Sequence, residues 1–263
     1  MRYSERGFTV RLAHNQAEIE ASQRLRYQVF YEEMGASADA ATLAAERDQD
    51  PFDDICDHLL VIDERHGGGV VGTYRILRRD VAEATDGFYS ADEFDLQPLL
   101  RLGGASMEVG RSCVHKLYRT RQVIDLLWSG LAGYVFQHDI HYLFGCASLP
   151  GTDRRAITPV LRYLNENHKA PPESCPVAWS DLRVDPEPQI DDVLDFRTAW
   201  RHLPPLLKGY LRLGGLIGDG AVLDSQFNTI DVCLVVDTTK VRQSYRRHYE
   251  QEHGRAPASA SAA

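Results

Sequence analysis

The chain has 263 residues, with 29 Lys and Arg against 38 Asp and Glu and a formal net charge of −9. That length suits one large domain or a domain with an extension, and 43% hydrophobic with 25% charged residues is the balance of a soluble globular protein. The acidic surplus argues against a general nucleic-acid binder, which needs a basic surface, and the composition excludes collagen-like, coiled-coil and wholly disordered chains. Charges in Met1–Phe8 precede any apolar run, so the start does not read as a secretory signal. The longest uncharged stretch, Leu126–His138, is far short of the roughly 20 residues of a spanning helix. Five scattered cysteines, Cys56, Cys113, Cys146, Cys175 and Cys233, with no CxxC, point to reduced thiols in a cytoplasmic protein without a zinc ribbon.

In chain order, Val10–Leu12 reads as a short strand. Ile19, Leu25, Val29 and Phe30 then set a helix from about Gln16 to Met34. Ala36–Ile55 is polar and acidic, a long loop with at most a turn of helix, and loops of that length in compact domains are often functional. Leu59–Ile62, the Gly67–Gly69 turn and Val70–Leu77 form a hairpin, and Gly87–Leu100 a helical connection. Met107–His115 is a strand. Val123, Leu126, Leu127, Leu131, Tyr134 and Val135 then make one apolar helical stripe. Ile140–Cys146 reads as a strand, Thr152–His168 as a helix, Val177–Val184 as a strand, Asp191–Leu213 as helix broken at Pro204-Pro205, and Thr229–Val236 as the last strand. From Gln251 to Ala263 the tail is too poor in apolar residues to fold. This order is an α/β layered domain with a mixed sheet.

Polar residues are densest in Met107-Glu-Val-Gly-Arg-Ser-Cys-Val-His115. Glu108 and Arg111 would face opposite sides of a regular strand, unless a bulge permitted by Gly110 re-aims one of them toward a buried Glu108–Arg111 salt bridge. Arg26 and Phe30 share a helix face. Asp48-Gln-Asp-Pro-Phe-Asp-Asp54 lacks the EF-hand glycine and terminal Glu, which leaves a solvated acidic run or a wall for a cationic substrate. His138 and His141 fit no zinc spacing and read as structural, and no metal site is expected. Gly214–Gly220 follows no strand, which rules out a dinucleotide turn and favours a loop shaping a pocket. Ser148 is outside any G-x-S-x-G, which disfavours a serine hydrolase.

Taken together, Arg26-xxx-Phe30, Asp50-xx-Asp53, Arg75 after Val-Val-Gly-Thr-Tyr, and Glu108-xx-Arg111 resemble the N-acyltransferases of the acyl-homoserine-lactone synthase type, which share a GNAT-like fold. Longer stretches narrow the resemblance to the bacterial L-ornithine Nα-acyltransferases. They are Arg26–Met34, Cys56–Val61, Val70–Arg75, Glu108–His115, Leu143–Asp153, Leu206–Gly215 and Phe227–Val232, within residues 8–250. The resemblance implies a GNAT-like core over residues 1–185, with an extension over 186–250 packed on it. It also implies acyl transfer from a 3-hydroxyacyl carrier protein to the α-amine of L-ornithine, giving lyso-ornithine lipid, with no cofactor beyond the donor's phosphopantetheine. Glu108 is then the candidate base, directly or through water, and Arg111 orients it or helps shape the acceptor site, with backbone N–H groups of Met107–Cys113 for the oxyanion and the pantetheine amides. Arg26 is assigned to the ornithine carboxylate and Asp50 or Asp53 to its side-chain ammonium, with Phe30 and Arg75 completing the substrate site. Tyr118–Ile124 lacks the glycines that hold the coenzyme A pyrophosphate in GNAT enzymes. A carrier protein therefore suits better, docking on Lys116, Arg119, Arg121, Arg154, Arg155 and Arg162. Membrane contact would be peripheral. Three rivals share parts of this pattern: an acyl-homoserine-lactone synthase using S-adenosylmethionine, a coenzyme-A-dependent GNAT enzyme, and a non-catalytic acyl-carrier or lipid-binding protein.

Overall fold

A computed structural model describes residues 2–186 and 196–241. Strands β1 (Arg2–Glu5) and β2 (Phe8–Leu12) open the chain. Helix α1 (Gln16–Tyr27) follows, capped by the Asn15 side chain on the Glu18 N–H and ending in a π-helical turn over Gln28–Glu33. The expected loop carries α2 (Ala40–Ala45) and a 3-10 turn at Pro51–Asp54. Strands β3 (Asp57–Asp63) and β4 (Gly69–Arg78) form the anticipated hairpin. A short helix α3 (Arg79–Ala82) follows, and Gly87–Leu100, expected to be helical, is three short pieces: a 3-10 turn at Tyr89–Asp92, β5 (Phe94–Asp95) and α4 (Gln97–Leu100).

At the centre are β6 (Ser106–Val114), α5 (Arg121–Gln137), β7 (Tyr142–Pro150) and α6 (Arg154–Asn167). The strand expected over Val177–Val184 is instead β8 (Val177–Ala178) and β9 (Arg183–Val184), separated by a turn in which the Leu182 N–H donates to the Trp179 carbonyl. Helices α7 (Phe196–His202) and α8 (Pro205–Arg212) flank Pro204; the expected helical residues 191–195 lie outside the described residues, as does the tail. Strands β10 (Leu216–Ile217), β11 (Ala221–Asp224) and β12 (Thr229–Asp237) close the chain.

The main sheet runs β1-β2-β3-β4-β6-β7-β12-β11-β9, with β10 also on β12, and β5 pairs β8 separately. The residues expected as a packed extension thus supply internal strands, with β12 paired to β7 along nine positions. Covered on both faces, β12 is buried from Thr229 to Val236. The apolar stripe of α5 packs on Val10, Leu59, Val61 and Val71, and Gly130 lets the helix approach, because a Cβ there would lie 2.7 Å from Val10. Leu25 and Val29 of α1 pack against Cys113.

Every pairing in the main sheet is antiparallel except β6 with β7, which are parallel. Their register covers only Ser106–Glu108 against Tyr142–Phe144, although both strands continue for six more residues. Beyond that point β6 stays with β4 and β7 with β12, so the sheet splits down its middle. At the fork, a Cβ on Gly145 would come within 2.2 Å of the Val109 carbonyl oxygen. Backbone cannot retreat as a flexible side chain can. Gly145→Ala should therefore cost roughly 2 kcal/mol or more, in the range of overpacked cores, and lower the melting temperature measured by calorimetry.

Candidate active site

Through the split runs a cavity of about 340 Å³. Gly110–Val114 of β6 and Gly145–Ser148 of β7 line its middle, and its two ends differ in chemistry. On the α8 side the lining is Val114, Pro204, Leu206, Leu207 and Leu234, with Tyr74 and Tyr210. On the α1 side it is Phe30, Arg75, Tyr89, Glu108, Arg111, Cys146, Ser148, Asp224, Phe227 and Asp231.

Opposite Tyr74, β6 carries two residues, Arg111 and Ser112, between the pairs Arg75–Gly110 and Thr73–Cys113. This bulge is the re-aiming device anticipated beside Gly110, and Arg111 adopts a left-handed φ of 50° to make it. It does not bring Arg111 to Glu108. The Arg111 guanidinium lies 3.2 Å from both Asp48 and Asp50, between the rings of Tyr89 (4.9 Å) and Phe227 (4.7 Å). Glu108 instead accepts from the N–H of Tyr89 (2.9 Å), the N–H of Ser90 (2.7 Å) and the Ser90 hydroxyl. The expected Glu108–Arg111 pair is thus replaced by a carboxylate that anchors the Tyr89–Asp92 turn. Burial raises the Glu108 pKa, and those three donors oppose it.

Arg26 is wholly buried, and Asp48 and Asp53 take four of its five N–H groups: Nε to Asp48 at 2.7 Å, Nη1 and Nη2 to Asp53 at 2.9 and 2.7 Å, and Nη2 to the Asp48 carbonyl. Buried behind these aspartates, Arg26 does not line the cavity, which corrects its assignment to the ornithine carboxylate. Asp53 is equally committed, to Arg26, Arg75 (3.1 Å) and Gln23 (2.9 Å), and Asp50 binds Arg75 at 2.6 Å. Asp50 and Asp53 are therefore structural anions and not the wall for a cationic side chain. Burial alone would raise the Asp53 pKa, but Arg26 and Arg75 hold it well below the usual carboxylate range. Arg26, Arg75 and Arg111 against Asp48, Asp50 and Asp53 make three cations balanced by three anions. Of the predicted substrate residues, Phe30, Arg75, Glu108 and Arg111 do line the cavity.

The other carboxylates are not balanced. Glu93, Cys146 and Asp231 place their ligand atoms within 4.8 Å of one another, the one such cluster of His, Cys, Asp or Glu among the described residues. Asp231 accepts from Thr229 (2.8 Å) and Ser148 (3.2 Å), and the Cys146 thiol donates toward Glu93 (3.5 Å). No described Lys, Arg or His pairs with Glu93, Asp231 or Asp224. Burial, then the neighbouring Asp231, pushes the Glu93 pKa to about 8; burial, with Asp224, pushes Asp231 to about 6. Burial likewise keeps Cys146 a thiol. The donor set would suit a cation, whether a metal ion or an ammonium. Asp231, Cys146 and Ser148 all fell inside stretches that carried the resemblance, but nothing in the sequence gave them a role.

Because β6 and β7 are parallel and each leads into a helix, the N-termini of α5 and α6 lie at the split end of the sheet. Lys116, Arg119, Arg121, Arg154 and Arg155 are exposed there. Of these, Arg119 lines the cavity while paired bidentately with Glu33, Arg121 pairs with Asp125 (3.4 Å), and Arg154 donates to the Asp185 carbonyl. The Arg78 guanidinium donates to His138 Nδ1 at 2.9 Å, a contact between β4 and the end of α5.

A split mixed sheet with a cavity through the fork is the arrangement of a GNAT-type acyltransferase, and residues 25–129 match the family model described as an acetyltransferase (GNAT) domain. An N-acyl amino acid synthase, FeeM, from uncultured soil microbes has a similar fold, with a TM-score of 0.52 at 12% identity over 90% of this chain and 93% of that one. The chain is 42% identical to the L-ornithine N(alpha)-acyltransferase of Agrobacterium fabrum over 92% of its own length and 85% of that protein. It is also 42% identical to that of Rhodobacter capsulatus, over 92% and 94%. The chain belongs to the L-ornithine Nα-acyltransferase family, and it is an acyltransferase.

Two outcomes follow from this charge arrangement. Asp53→Asn strands two buried guanidiniums and should cost roughly 3–5 kcal/mol in denaturant unfolding. Glu93 and Asp231, with raised folded pKa values, contribute stability that is complete below their ordinary carboxylate range and is lost as pH rises through about 6 and about 8. Between about pH 5 and pH 8.5 the melting temperature should therefore fall more for the wild type than for a Glu93→Gln/Asp231→Asn double variant.

Proposed function

We propose that the enzyme moves a 3-hydroxyacyl chain from acyl carrier protein to the α-amine of L-ornithine, giving lyso-ornithine lipid. The observation that carries this reading is the contrast along the cavity, apolar at the α8 end and lined at the other by Asp224 and Asp231, neither paired with a described cation. An alkyl chain suits the first end. The second suits the side-chain ammonium of ornithine, held by Asp231, with the carboxylate on Arg75 and Arg111.

The donor's thioester would lie in the fork, where β6 and β7 no longer pair and their inner N–H and C=O groups are open to the pantetheine amides and the oxyanion. The amine attacks the carbonyl carbon, a C–N bond forms, the C–S bond breaks, and the thiol leaves with a proton. A thioester is already activated, so no covalent enzyme intermediate is required. Glu108 takes the ammonium proton directly or through water. For the donor, Tyr118–Ile124 offers no glycine for a pyrophosphate, and the Thr120 hydroxyl already accepts from the Val123 N–H at the start of α5. The exposed basic side chains at the split end suit an acidic carrier protein. Contact with the membrane would be peripheral, since no described helix is long and apolar enough to cross one.

The test is to offer 3-hydroxyacyl carrier protein and the matching acyl coenzyme A with ornithine, lysine, glutamine and norvaline, with products identified by mass. Ornithine with the carrier protein should dominate, and equal kcat/KM for norvaline would remove the ammonium site. Glu108→Gln should lower kcat by roughly 10²-fold near neutrality, a deficit that shrinks as pH rises and the α-amine arrives deprotonated. Full activity of that variant at pH 7 would take the proton transfer away from Glu108.

A further inference from the structure

Two hydroxyls sit where an alkyl chain alone would have no use for them. Tyr74, on β4, and Tyr210, on α8, are each 3% exposed and line the apolar end of the cavity, and their hydroxyl oxygens are 3.1 Å apart. Ser112, on the bulge facing Tyr74, is a third hydroxyl of the cavity wall. The surroundings are Val114, Leu207 and Leu234. A buried tyrosine hydroxyl finds a partner, and here each partner is another hydroxyl. The two tyrosine hydroxyls share one bond and so use one of their two protons, which leaves one donor and several lone pairs, with the Ser112 hydroxyl beside them, for whatever fills the cavity.

The position of this cluster is as informative as its chemistry. Tyr74 is the single β4 residue opposite Arg111–Ser112, beside the point where β6 leaves β7. A thioester carbonyl seated in that fork has its first two chain carbons passing the tyrosines before the chain reaches Leu207 and Leu234. We infer that Tyr74, Tyr210 and Ser112 form a hydroxyl-reading subsite that selects donors carrying a 3-hydroxyl group over the unsubstituted chain of the same length. The inference rests on the acyl-transfer reading for the direction in which the donor lies. A site built to bond a substrate hydroxyl discriminates against the analogue lacking it, because its own polar groups are then left buried and unpaired.

The experiment compares 3-hydroxyacyl and plain acyl carrier proteins of equal chain length in wild type, Tyr74→Phe and Tyr210→Phe. Both kcat/KM with ornithine and the donor Kd without ornithine are measured. Wild type should favour the 3-hydroxy donor by tenfold or more in both quantities. Each variant should lower the 3-hydroxy donor roughly tenfold more than the plain donor, with melting temperature recorded to separate selectivity from folding. A donor preference in wild type that both variants leave intact, or an equal fall for both donors, would overturn the subsite and return the pair to a packing role between β4 and α8. A hydroxyl preference in Kd that the variants abolish, without transfer to ornithine, would support the subsite and sink the reaction reading instead.

Discussion

The parting of β6 from β7 is the constraint on which the other features depend. Two strands that separate in the middle of a sheet would ordinarily strand a row of backbone donors and acceptors, a cost that native interiors avoid. Here only the inner edges are given up, because β4 follows β6 to Val114 and β12 follows β7 to Pro150. The inner edges of the two strands face a cavity instead of packed side chains, and on the proposed reading they hold the donor's amides and the developing oxyanion. The bulge at Arg111–Ser112 turns the departing strand, and the glycine at position 145 allows the last close contact before the fork.

The parts of this architecture written in local periodicity were legible in the sequence. The α5 stripe, the glycine-turn hairpin and the central strand–helix–strand unit depend on side-chain spacing and turn chemistry, which a window of residues contains. Pieces held by partners far along the chain were not. Strand β11 exists because β12 and β9 flank it, and β8 is two residues long because β5 pairs with it and a turn follows. The same limit applies at the site. Parity along β6 raised the question of how Glu108 and Arg111 would meet, and Gly110 marked a bulge. Nothing local said that the bulge would send Arg111 to the Asp48–Asp50 loop and leave Glu108 to bind the backbone of Tyr89 and Ser90. The resemblance marked stretches that meet around the cavity, yet it could not distinguish side chains that line it from those that hold each other.

Buried charge makes that distinction. A guanidinium removed from water needs paired acceptors, and Arg26 has two aspartates that take four of its five N–H groups, so it ties α1 to the loop and lies away from the cavity lining. Tyr31 adds a hydroxyl to Asp48 at 3.2 Å, and Gln226 reaches Tyr31 at 3.0 Å, which extends the network from the long loop to the segment before β12. The polar loop expected to carry function does so indirectly, by supplying three aspartates that fix three arginines.

Fixing Arg111 matters most for the opposite side of the cavity. Its charge already lowers the pKa of Asp231 against the larger effect of burial, so a freely moving Arg111 would settle on the unbalanced carboxylates and neutralise them. Two aspartates and two aromatic rings prevent this by giving the guanidinium better partners on its own side. The acids at that end of the cavity then keep no paired cation among the described residues. In the free protein this arrangement disfavours the charged state of Glu93 and Asp231, and on the proposed reading an ornithine ammonium restores it on binding. On that reading recognition of the acceptor and the pinning of Arg111 are one device: the balanced network is what allows its neighbour to remain unbalanced.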